Sequence, residues 1–192
     1  MTVKAPITET LASALIMLTP WHKDRILVDP CCGSGTIPIE AAMIGRNIAP
    51  GLSRHFAAEE WEAIPADLWR EERQQAYEAV DWDKSLEIYG YDIDSDAVRA
   101  AEENAAEAGV ADDIVFERHD GAAIDSGGQE GGIIITNPPY GERIGDRRSI
   151  EKLYAGWAGF LAENPTWSCF VITPDKTIEN KVFGRPANRR RK

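Results

Sequence analysis

Short apolar runs alternate with stretches of helical spacing along most of the chain. Arg25-Ile26-Leu27-Val28-Asp29 predicts a buried strand, and Leu86 to Tyr91 a second that ends at Asp92. Ile114-Val115-Phe116, Gly131 to Thr136 and Ser168 to Thr173 predict three more. Helical patterns fill the gaps. Thr36 to Ile44 carries Pro38 in its first turn and Gly45 as its stop, with Ile37, Ala41 and Ile44 on one face. Ser95 to Ala108 ends at Gly109, and either Ser95 or Asp94 can cap it. Its Ala97, Ala101, Ala105 and Ala108 form a smooth face suited to close packing on a sheet. Ile150 to Ala162 predicts a further helix. Residues 49–82 break the rhythm: they hold Trp61, Trp69 and Trp82 and a helical run from Leu68 to Val80.

Strands alternating with helices predict an α/β fold built on a doubly wound, mostly parallel sheet. In such sheets ligands bind beyond the carboxyl ends of the strands. Asp29, Asp92, Asp120 and Asn137 all fall at such ends.

Asn137-Pro138-Pro139-Tyr140 follows the fourth strand. The Asn side chain offers a carbonyl acceptor, Pro138 fixes the direction of its own carbonyl, and Tyr140 offers a stacking face. Two acceptors and a ring suit a flat group bearing an NH2. The plainer alternative is an X-Pro-Pro turn closing a strand. Between the first strand and helix lies Asp29-Pro30-Cys31-Cys32-Gly33-Ser34-Gly35-Thr36. Gly33 and Gly35 permit a tight turn and close backbone approach by a ligand. A dinucleotide fingerprint would want a third glycine at position 38, which is Pro, and a phosphate loop would want Gly-Lys-Ser/Thr. The loop therefore fits a small zwitterion better than a pyrophosphate. Asp92 is placed to accept ribose hydroxyls. Asp120 can accept from an adenine amino group or serve as a turn residue before Gly121. Cys31 and Cys32 read as small packing residues, with no histidine near in sequence.

The chain has 192 residues, enough for one domain with a full core. Apolar residues make up 43% and charged residues 28%, the profile of a soluble globular protein. No apolar run approaches the ~20 residues of a membrane span and no signal peptide opens the chain, which points to the cytosol. Three cysteines, two of them adjacent, exclude a disulfide framework. His22, His55 and His119 lack ligand spacing, so no metal is expected. The net charge of −11 weighs against a surface that grips nucleic acid unaided. Basic residues nevertheless cluster in two places. Lys181, Arg185, Arg189, Arg190, Arg191 and Lys192 occupy the last stretch without an acid, and Arg143, Arg147 and Arg148 follow the Asn-Pro-Pro-Tyr run.

This order of elements resembles a class I S-adenosylmethionine-dependent methyltransferase acting on amino nitrogens. The segment from Asp29 to Thr36, Ile39-Glu40-Ala41-Ala42-Met43, Ala49-Pro50-Gly51 and Asn137-Pro138-Pro139-Tyr140-Gly141-Glu142-Arg143 together resemble the bacterial RNA methyltransferases associated with THUMP domains. Those enzymes methylate guanine N2 in large-subunit ribosomal RNA. The resemblance spans nearly the whole chain. It implies a Rossmann-like fold with a helical insertion at 49–82. It implies S-adenosylmethionine held by Asp29, Pro30, Cys32, Gly33, Ser34, Gly35, Thr36, Asp92, Ile93, Asp120, Gly121 and Asn137. Asn137, Pro138, Pro139 and Tyr140 would be catalytic, Tyr140 and Arg143 would contact an RNA substrate, and no metal would take part. The family has a THUMP region before the equivalent of residue 4 and a final pair of strands after the basic tail at 181–192. Residues 1–192 are thus expected to be a catalytic domain without its last hairpin, with most of the RNA grip outside it. Methylation of a protein glutamine at N5 or of DNA adenine at N6 uses the same Asn-Pro-Pro-Tyr logic, and an inactive Rossmann-like binding module is the non-enzymatic alternative.

Overall fold

The computed structural model describes residues 7–83, 85–139, 146–175 and 177–190. In chain order the regular elements are α1 (Glu9–Met17), β1 (Leu27–Asp29), α2 (Thr36–Gly45), α3 (Ala66–Glu78) and β2 (Ile88–Asp92). They continue with α4 (Ser95–Glu107), β3 (Ile114–Arg118), β4 (Ile133–Thr136), α5 (Asp146–Glu163) and β5 (Ser168–Val171). A π-turn over Glu179–Phe183 follows.

The sheet runs β3-β2-β1-β4-β5 and every pairing is parallel. From β1 the order moves one way through β2 and β3 and the other way through β4 and β5. The reversal leaves a crevice at the carboxyl ends of β1 and β4, where doubly wound sheets bind ligands. β1 and β4 are buried throughout, as expected of central strands covered on both faces. Ile133 and Ile135 face α1, α2 and α4, while Ile134 faces Phe160 and Trp167 on the α5 side. A slip of one residue would exchange these faces, so the register is fixed by packing.

Several boundaries differ from the sequence expectation. β1 begins at Leu27, because Arg25 still closes a turn, its N–H donating to His22 O at 2.9 Å, while its side chain reaches the carbonyls of Gly131 and Gly132. Asp94 rather than Ser95 caps α4, accepting from Asp96 N at 2.9 Å. In α2, Ile37 and Ala41 are buried but Ile44 is exposed; Ile39 and Ala42 are buried in its place. The cause is α1, which lay outside the predicted elements and packs on α2 from the far side. Leu11, Ala12, Leu15 and Ile16 carry its helical spacing.

The insertion has no fully buried residue in α3 and is held by a polar clamp. Phe56 stacks on Trp69 at 5.9 Å, the Arg54 guanidinium lies 4.6 Å over Phe56, and Arg73 donates to Leu52 O, Arg54 O and Glu59. Its end is tied to the body at Arg46, whose carbonyl accepts from Asp81 N at 2.8 Å. The Arg46 fork grips the buried Asp113 through Nε at 2.9 Å and through Nη2.

Candidate active site

The turn after β1 is built from backbone bonds and two left-handed glycines. Cys31 N donates to Asp29 Oδ1 at 3.1 Å, Cys32 N to Tyr91 O at 2.8 Å, and Gly35 N to Cys32 O at 2.9 Å. Asn104 of α4 donates to Ser34 O at 2.9 Å. Gly33 has φ 55° and Gly35 φ 83°, conformations that side chains with a Cβ seldom adopt. A Cβ on Gly35 would also lie 2.9 Å from both Ala101 Cβ and Phe116 Cζ. One on Gly33 would meet nothing within 4 Å, so the turn faces open space there. Thr36 opens α2 directly behind it.

Asp92 joins this turn to its own strand end. Its Oδ2 accepts from Gly33 N at 3.0 Å and its Oδ1 from Asp94 N at 3.0 Å. Each carboxylate oxygen has lone-pair capacity left for a hydroxyl. Ile93, next along, is 68% exposed and offers a flat apolar surface beside that carboxylate. On the neighbouring strand end, Asp120 accepts from Ala122 N at 3.1 Å, the turn role read from sequence. It also pairs with Lys152 of α5 at 2.5 Å, which with the Ala122 bond holds its pKa below the usual range. Gly121 has no room for a side chain, since a Cβ there would stand 2.1 Å from the carbonyl oxygen of Pro30. Trp157 of α5 fixes the same residue, donating to Gly121 O at 2.9 Å.

Asp29 is the buried member of the set, 1% exposed. Desolvation raises its pKa to about 7, aided by the charge of Asp92. The Cys31 N–H and the facing Thr136 hydroxyl oppose that rise. Thr136 Oγ1 is buried without a hydrogen bond of ordinary geometry and faces Asp29 as a dipole. Burial pushes the Cys31 and Cys32 thiols well above their usual range, with Asp29 and Asp92 adding to the effect. They stay protonated, as packing residues should and nucleophiles should not.

Thr136 ends β4, and Asn137, Pro138 and Pro139 follow it, half-buried, buried and exposed in turn. Because β4 pairs with β1, this stretch leaves the sheet beside the glycine turn. Tyr140 and Arg143 lie outside the described residues. The structure thus brings together Asp29, Pro30, the turn from Cys32 to Thr36, Asp92, Ile93, Asp120 and Gly121, with Asn137 at the adjoining strand end. Sequence reasoning missed Lys152, Trp157, Asn104 and Thr136. Each acts across a long chain separation, so no local pattern marks it.

The Asp92 carboxylate beside the open glycine turn suits a cation and hydroxyls and repels a pyrophosphate. A sulfonium amino acid bonded to adenosine fits that set, with a hydroxyl-bearing ring against Asp92 and a flat base against Ile93. Among the described residues, no group of three or more His, Cys, Asp or Glu is arranged to hold a metal ion, and no helix is long and apolar enough to cross a membrane.

Comparison with known proteins agrees with this geometry. The chain is 45% identical over 188 residues to YpsC of Bacillus subtilis (strain 168), which is named as an RNA methyltransferase; the match covers 98% of this chain and 48% of YpsC. It is 40% identical over 163 residues to the ribosomal RNA large subunit methyltransferase K/L of Vibrio campbellii, covering 82% of this chain and 23% of that protein. A Listeria monocytogenes protein whose structure is described as an N6-adenine-specific DNA methylase superposes with TM-score 0.92 at 44% identity, over 98% of this chain and 49% of that one. The methyltransferase SMU.472, solved with S-adenosylhomocysteine, superposes with TM-score 0.90 at 42% identity, over 97% and 49%. The chain therefore spans about half the length of YpsC and of both these structures. The family model described as the RMKL-like methyltransferase domain matches residues 1–192. The chain belongs to that family and has the class I, Rossmann-like fold of S-adenosylmethionine-dependent methyltransferases.

Proposed function

We propose that this chain is the catalytic domain of an enzyme that methylates an exocyclic amino nitrogen of an RNA base, guanine N2 of large-subunit ribosomal RNA. The observation that carries the reading is the emergence of Asn137-Pro138-Pro139 from β4 beside the glycine turn of β1. The names of the sequence relatives support RNA as the substrate class.

When bound, S-adenosylmethionine would supply a methyl group already activated on sulfur: the amine nitrogen would take the methyl, the sulfur would keep the electrons of the broken C–S bond, and the surplus N–H proton would pass to water. The chain's own task is positioning, which can lower a barrier by up to ~7–11 kcal/mol. In this reading Gly33, Gly35, Asp92 and Ile93 hold the cofactor, and Asp120 takes the adenine amino group. Asn137 and the Pro138 carbonyl accept from the target NH2 and favour the positive charge that develops on nitrogen. Tyr140 stacks on the base, worth ~1–3 kcal/mol, and Arg143 contacts phosphate. A paired guanine must be turned out of its stack or presented single-stranded. Most of the remaining grip on RNA is assigned to a THUMP-containing part outside residues 1–192.

The test offers labelled methyl donor with ribosomal RNA, adenine-containing DNA and a glutamine peptide side by side. Label in RNA alone supports the reading. Label in DNA favours the activity named for the Listeria relative, and label in the peptide favours glutamine methylation.

A further inference from the structure

Most lysines and arginines among the described residues are occupied. Lys23, Arg46, Arg70, Arg73, Arg99, Lys152, Lys181 and Arg190 each pair with a carboxylate. Arg25 and Arg118 donate to carbonyls, and Arg54 covers Phe56. Among the described residues Arg148, Arg185 and Arg189 alone of the lysines and arginines have neither a carboxylate, a carbonyl nor a ring as partner.

Arg148 and the segment that carries Arg185 and Arg189 belong to elements that pack on one another. Arg148 stands in the first turn of α5, the helix that follows the Asn-Pro-Pro stretch. Arg185 and Arg189 lie in a segment that folds back onto that helix. Ile178 and Val182 of the π-turn are buried against Leu153, Tyr154 and Trp157 of α5, in a cluster that also touches Cys31 and Ala122. Cys31 belongs to the glycine turn and Ala122 to the Asp120 loop, so the segment borders the candidate site. Its far end is pinned as well, because Arg190 grips Glu179 through Nε and Nη2. Arg185 and Arg189 therefore sit on a closed loop whose ends are held by a buried apolar anchor and a two-pronged ion pair. Such a loop loses little freedom on binding a ligand.

We propose that Arg148, Arg185 and Arg189 form a phosphate-binding rim that tracks the backbone of single-stranded RNA entering the site. This rests on the RNA reading above. It supplies part of the grip that a net charge of −11 otherwise withholds. Arginine suits the role, because its planar fork matches two phosphate oxygens. Each phosphate neutralised on a single strand contributes about 0.7 to the slope of log affinity against log salt concentration.

The test compares two charge-matched variants of this chain, R185Q/R189Q and R70Q/R99Q, using a fluorescent single-stranded RNA oligonucleotide across a salt series. Methyl transfer to RNA and S-adenosylhomocysteine affinity are measured alongside. The salt slope is expected to fall by about 1.4 in R185Q/R189Q and by about 2 with R148Q added, and to hold in R70Q/R99Q. Affinity for S-adenosylhomocysteine is expected to stay within twofold in all of them, which separates lost phosphate contacts from misfolding. If RNA is methylated but the slope of R185Q/R189Q matches that of R70Q/R99Q, the rim is wrong and the RNA reading stands. If the unaltered chain neither binds nor methylates RNA but labels DNA or a glutamine peptide, both fall.

Discussion

Replacing Asp29 with Asn tests the electrostatics at the sheet's switch point. The side chains have the same shape. Asn keeps the acceptor for Cys31 N–H, 3.1 Å away, and gains a donor that can reach the unsatisfied Thr136 hydroxyl. What it loses is the ionisable proton. Burial raises the Asp29 pKa from the ordinary 3.8 to about 7. A carboxyl whose pKa rises on folding binds its proton more tightly in the native state. Its contribution is fully present below the unfolded pKa and is lost as pH climbs through the folded one. The difference of about three pH units corresponds to about 4 kcal/mol lost between pH 4 and above pH 7. More than half of that falls between pH 5 and pH 8. Urea unfolding of both proteins at pH 5, 6, 7 and 8 should show Asp29→Asn gaining on the parent as pH rises, by about 3 kcal/mol over the series. Parallel stability curves would refute a buried, proton-holding Asp29.

Three further perturbations separate packing from chemistry. Gly121→Ala drives a Cβ into the Pro30 carbonyl 2.1 Å away, so stability should fall by about 1–3 kcal/mol and calorimetry should show at least a tenfold loss of S-adenosylhomocysteine affinity. Gly159→Ala meets nothing within 4 Å inside α5 and should instead stabilise by about 0.5–1 kcal/mol with affinity unchanged, read by the same titrations. Arg46→Ala strands the buried Asp113 and should cost about 3–5 kcal/mol in urea unfolding, whereas Arg46→Met combined with Asp113→Leu should recover most of it.

The sheet was legible because its strands are short apolar runs separated by glycine and acidic punctuation, and a parallel sheet buries those runs on both faces. The glycine turn and the acids at the strand ends were legible for the same reason: the chemistry sits where the pattern changes. The second tier of the site was not. Lys152 reaches Asp120, and Trp157 reaches Gly121 O, across more than thirty residues, and neither partner carries a local mark. Gly121 read as a turn glycine beside an acid, yet its decisive neighbour is the Pro30 carbonyl on another strand's loop. The tail read as a run of charge, but the apolar Ile178 and Val182 dock it on α5. Long-range pairings of this kind exist only once the sheet has formed.

The central claim is that Asn137 directs methyl transfer to an amino group of an RNA base. Ribosomal RNA treated with labelled methyl donor and either the parent chain or Asn137→Ala, then digested to nucleosides, tests it directly. The expected result is label in N2-methylguanosine with the parent, loss of transfer by two or more orders of magnitude in Asn137→Ala, and unchanged S-adenosylhomocysteine affinity in both. Undiminished transfer by Asn137→Ala, or label on a different nucleoside, would contradict it.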